Sequence, residues 1–85
     1  MLWTVAYSGR AEKSLERLPG ADRIRISAAL EAMRTDPLSG DVVKLKGTDA
    51  FRRRVGSYRI VFDIEFKSRV VRILDILRRT TTTYR

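Results

Sequence analysis

The stretch Phe51-Arg52-Arg53-Arg54-Val55-Gly56-Ser57-Tyr58-Arg59-Ile60-Val61-Phe62 constrains the fold more than any other part of the chain. Two runs with β-branched and aromatic residues flank a Gly-Ser pair, so the segment reads as a hairpin with a two-residue turn. Successive side chains of a strand point to opposite sides. In the first run this puts Arg52 and Arg54 on one face, with Phe51, Arg53 and Val55 on the other. In the second, Tyr58, Ile60, Phe62 and Ile64 share a face opposite Arg59, Val61 and Asp63. Closing the hairpin gathers Arg52, Arg54 and Arg59 on one surface, which would bind phosphate. Arginines on the outer face of an antiparallel sheet can also be plain solvation. The distribution of charge argues for more. Residues 1–43 carry six Lys or Arg and six Asp or Glu, residues 44–85 carry twelve and four, and the net +8 therefore belongs to the second half.

The 85 residues are read as a single domain, 1–85, with a small core that buries about 60–65% of the surface exposed by the unfolded chain. With no cysteine and no histidine, a disulfide framework, a Cys or His zinc site, a thiol nucleophile and an imidazole base are all excluded. No apolar run approaches the ~20 residues of a membrane span, and Met1-Leu2-Trp3-Thr4 lacks the pattern of a signal peptide. The expectation is a soluble, cytoplasmic protein without membrane contact, whose basic charge suits a polyanion or an acidic protein partner.

Leu2 to Tyr7 reads as an opening strand, and Ser8 as the cap of a helix whose apolar stripe is Ala11, Leu15 and Leu18, ended by Pro19-Gly20. Asp22 is expected to cap a second helix with Ile26, Ala29, Leu30 and Met33 on its inner face, running to Asp36-Pro37. Pro37 to Asp41 reads as a loop, and Val42 to Gly47 as an extended lead-in to the hairpin. Glu65 to Ser68 reads as a turn. The nearly continuous apolar run 69–77 is expected to be the central strand. The tail, with Arg78 and Tyr84 six residues apart, is expected to be extended. The fold expectation is α+β: β-α-α-β-β-β, with a helical hairpin packed on a mainly antiparallel sheet.

This order of elements, together with Lys44-Leu45-Lys46-Gly47 and the Phe51 to Phe62 segment, resembles the RelE/ParE superfamily of bacterial toxin–antitoxin toxins, and more closely its RelE branch. The resemblance covers essentially the whole chain. It implies a ribosome-dependent mRNA endoribonuclease, metal-independent and without a cofactor, held in a hetero-oligomer by a cognate antitoxin. It assigns catalytic places to Arg52, Arg54, Arg59, Arg78 and Tyr84. Lys44, Lys46, Arg53 and Arg79 are expected to add nucleic-acid contacts. The ParE branch implies instead an inhibitor of DNA gyrase, and a non-catalytic nucleic-acid-binding relative is a third reading. Two departures from the RelE pattern bear on the choice: Arg54 stands where the best-known RelE toxins have a lysine, and only threonines follow Arg79 up to Tyr84.

RNA cleavage by attack of a 2′-hydroxyl on the neighbouring phosphorus needs a proton acceptor, stabilisation of a more negative phosphorane, and a proton for the departing 5′-oxygen. Arg52 and Arg59 are expected to hold the phosphate through their guanidinium forks. By resemblance Arg78 would assist the leaving group and Tyr84 would orient or stack on a base. Arg54 fits the place of the base poorly, because neutralising a guanidinium at pH 7 costs ~7 kcal/mol.

Overall fold

A helix signal and a strand signal follow each other at the start of the chain, and a single serine joins them. The computed structural model describes residues 2–78, with strand β1 (Thr4–Tyr7) leading into helix α1 (Gly9–Glu16). Ser8 lies between them in extended geometry, and its hydroxyl oxygen accepts from Ala11 N at 3.0 Å. The same hydroxyl donates to Leu74 O at 2.8 Å. The cap therefore fixes the helix to the far end of the chain as well as satisfying a free N–H, a contribution of about 1 kcal/mol for the cap alone.

Helix α2 (Gly20–Met33) begins behind Pro19, which stands at the cap position without a side-chain hydrogen bond. Asp22, expected as the cap, lies in the first turn of this helix. Its carboxylate accepts instead from the Tyr58 hydroxyl at 3.0 Å. The expected inner face is present: Ile26, Ala29, Leu30 and Met33 are buried. The chain then turns at Asp36, whose Oδ1 accepts from Leu38 N at 3.0 Å.

Four strands follow: β2 (Asp41–Lys44), β3 (Phe51–Val55), β4 (Tyr58–Glu65) and β5 (Val70–Arg78). They form one sheet with β1 in the order β1-β5-β4-β3-β2. The β1–β5 pair is parallel and the other pairs are antiparallel. The lead-in to the hairpin is thus a paired edge strand, and the middle of the sheet is β4 rather than β5. Both helices lie on one face, where Phe62, Ile26, Met33, Ile60, Ile73 and Val71 are the largest fully buried side chains. Phe51 stacks on Phe62 with ring centroids 5.5 Å apart. Each of these side chains contributes about 1.5–3 kcal/mol by leaving water.

Between Val61 and Phe62 the β4–β5 register shifts, pairing Val61 with Asp75 and Phe62 with Ile73. Leu74 is the extra residue of this bulge, so Ile73 and Ile76, three apart, both reach the core. The shift also inverts the facing of everything in β5 beyond it. No described helix is long and apolar enough to cross a membrane.

Candidate functional site

Gly56 makes the hairpin turn possible: its φ of +56° is a conformation that other residues adopt only with strain. A Cβ at this position would lie 2.5 Å from Nη1 of Arg25, which reaches over the turn from α2. The turn sets the register Arg54 opposite Arg59 and Arg52 opposite Val61. Tyr58, Ile60 and Phe62 point into the core. By alternation Arg52, Arg54 and Arg59 therefore lie together on the sheet face that the helices leave open, as expected from the sequence.

Two arginines directly opposite each other repel, and β2 supplies a counter-charge. Asp41 pairs in register with Arg54. Its Oδ1 lies 3.6 Å from Arg52 Nη1 and its Oδ2 3.8 Å from Arg54 Nε. A row Asp41, Arg54, Arg59 thus crosses three strands. The Arg52 side chain is only 18% exposed, and its Nη1 is buried without a hydrogen-bond acceptor. Among the described residues no carboxylate lies within ion-pair distance of Arg59. Elsewhere on the sheet Arg72 is engaged by Asp63 at 2.7 Å, a bond that raises its pKa further above the usual arginine value.

The other expected site residues are placed differently. Arg53 faces the helix side, opposite Ile60. Its Nη1 donates to Ser39 Oγ at 3.1 Å. Its guanidinium lies against Gly40, whose φ is +80°, and a Cβ there would be 2.9 Å from the Arg53 Cζ. Arg53 thus holds the loop that delivers Asp41 to the start of β2. Lys44 ends β2 opposite Phe51, and Lys46 is exposed in the following loop, where Leu45 N donates to Ala50 O at 2.8 Å. Arg78, beyond the bulge, pairs with Tyr58 on the helix side and is not brought together with Arg52, Arg54 and Arg59. Arg79 and Tyr84 lie outside the described residues.

Tyr58 joins the site to the helices. Its phenol pKa is raised above 10.0 by burial first, then by the hydrogen bond to Asp22 and that carboxylate's charge, with Arg78 pulling the other way. Asp41 and Asp22 are the residues that the sequence reading did not assign to the site. For Asp41 the only available signal was its place one residue before the alternating Val42-Val43-Lys44 run.

Comparison with known proteins bears on this geometry. Residues 5–82 match the family model described as ParE toxin of type II toxin–antitoxin systems. A protein of Methanocaldococcus jannaschii designated toxin RelE1 is 29% identical over 83 residues, covering 93% of this chain and 92% of its own. The archaeal RelE–RelB complex of Pyrococcus horikoshii OT3 contains a chain 30% identical, with a TM-score of 0.85 over 96% of this chain and all of that one. The isolated E. coli RelE toxin, at 19% identity, shares the fold with a TM-score of 0.82 over 94% of this chain and 87% of its own.

Proposed function

The chain belongs to the ParE toxin family of type II toxin–antitoxin systems, within the RelE/ParE superfamily and closer to RelE, and from this premise we propose that it cuts messenger RNA on the ribosome. The observation that carries the reading is the cross-strand pairing of Arg54 with Arg59 beside Arg52 on the open face of the sheet. Three guanidinium groups there offer forked donors to the non-bridging oxygens of a phosphate, and they stabilise a phosphorane more than the ground state because its charge is greater. Arg54 acts in this reading as a charge stabiliser. Binding on the ribosome orients the 2′-hydroxyl for in-line attack, a contribution of positioning rather than of side-chain chemistry.

A cognate antitoxin is the proposed partner, by analogy with the RelE–RelB complex of Pyrococcus horikoshii, and a ribosomal target implies action in the cytoplasm. The family match to ParE toxins favours gyrase inhibition as the second reading. The test is cleavage of a ribosome-bound message by wild type, Arg54→Ala and Arg59→Ala. Discrete cuts that both variants lose support the ribonuclease. Intact messages together with stalled gyrase replace it with the second reading.

A further inference from the structure

Resting on the ribonuclease reading, we propose that Asp41 is the general base of the cleavage. The attacking 2′-hydroxyl must lose its proton, and the arginines that crowd the open face cannot accept it without first being neutralised. Asp41 is the carboxylate in their midst. It is held at 3.6 Å from Arg52 and 3.8 Å from Arg54, and neither of its side-chain oxygens accepts a hydrogen bond among the described residues. Its side chain is 54% exposed. Its lone pairs are thus free for an incoming hydroxyl while its position is set from two sides.

Asp63 and Asp75 are engaged by other groups, and Glu65 stands at the end of β4 opposite Val70, six positions along the strand from Arg59. Asp63 Oδ1 accepts from Arg72 Nε at 2.7 Å. Asp75 Oδ1 accepts from Ser14 Oγ at 3.0 Å and from Ile76 N at 2.8 Å. Asp41 is also a built position. Gly40, in a left-handed conformation packed against the Arg53 guanidinium, precedes it, and Arg53 is fixed in turn by Ser39. The buried Arg52 Nη1 lies 3.6 Å from Asp41 Oδ1, so a fixed positive charge stands beside the carboxylate from within the sheet.

The O2′ proton passes to an Asp41 side-chain oxygen as the O2′–P bond forms. The P–O5′ bond breaks with its electron pair on O5′, which takes a proton from water. The products are a 2′,3′-cyclic phosphate and a 5′-hydroxyl, and Asp41 returns its proton to the solvent.

The experiment is single-turnover cleavage of a ribosome-bound message from acid to alkaline pH by wild type, Asp41→Asn and Asp41→Glu, and by Asp41→Ala with and without formate. Binding of a message with a 2′-deoxy nucleotide at the cut site is measured alongside. Asp41→Asn is expected to lower the rate about 10²–10⁴-fold while binding is kept or tightened, since a negative charge beside the phosphate is removed. The fall of the wild-type rate toward acid pH should vanish in Asp41→Asn, Asp41→Glu should retain part of the rate, and formate should restore Asp41→Ala. An Asp41→Asn variant that cuts as fast as wild type, or faster, makes Asp41 a counter-ion only and overturns the proposal while sparing the ribonuclease reading. Loss of binding together with cleavage, without rescue by formate, overturns it in favour of a structural role. A wild type that leaves the message intact overturns both readings.

Discussion

Three consecutive arginines are split by the pleat of one strand, and their two environments differ in kind. Arg53 faces the helices, where it spends its donors on Ser39 and packs on Gly40. Arg52 and Arg54 face the open side, where their partner is a carboxylate held too far for a hydrogen bond. The covered face is completed by its own contacts, and its interactions concern stability. The open face keeps charge in reserve: Arg59 has no ion pair among the described residues, and the Arg54 side chain is 45% exposed. Identical side chains in adjacent positions thus have different uses, and the register alone decides which is which.

That contrast can be broken by substitutions on each side. The largest effect is expected for Phe62→Ala, which empties the middle of the core and should cost about 3–5 kcal/mol in denaturant unfolding. Arg59→Ala should do the reverse, changing stability by ~0.5 kcal/mol or less while lowering single-turnover cleavage by roughly 10²–10³-fold. If instead it unfolds the protein, the open face is structural and the contrast fails. Gly40→Ala forces a side chain into a left-handed backbone beside Arg53, at a cost of about 1–2 kcal/mol. Combined with Arg53→Ala its effect should be less than additive in thermal melts, because both act on one contact. The smallest effect concerns pH. Tyr58 has a raised pKa in the folded state, so its contribution is full below the unfolded value near 10 and is lost as pH rises through the higher folded value. Alkaline unfolding followed by tyrosinate absorbance should show this loss in wild type and less of it in Tyr58→Phe.

Much of this contrast was legible in the sequence, because period-two alternation and a Gly-Ser turn suffice to put Arg52, Arg54 and Arg59 together. The helical stripe 26, 29, 30 and 33 and the Ser8 cap were equally plain, since each depends on residues within about two turns of one another. What escaped depends on pairing between distant segments. Asp41 gained its role only when Asp41–Lys44 paired as an edge strand on β3, and four residues after a Pro-Gly-containing loop carry too little pattern to announce that. Asp22 looked like a cap because capping is local, whereas its hydrogen bond to Tyr58 spans 36 positions. Arg78 was expected beside the other arginines. The bulge at Leu74 inverts the facing of the end of β5, and the run 69–77 is too nearly apolar throughout for its pattern to fix where an extra residue will sit.

The parallel pairing of β1 with β5 also carries a consequence for synthesis. The first strand waits for the last: Thr4 pairs with Val70, and the Ser8 hydroxyl reaches Leu74 across 66 positions. Between β1 and the hairpin nothing but β5 closes the sheet, since β5 stands next to both β1 and β4. Contacts that join the ends of a chain form late and slowly, after the entropy of closing the whole loop has been met. A growing chain that has released its helices and its arginine hairpin therefore still lacks the strand that unites them. The sheet is complete only once β5 has paired with both β1 and β4.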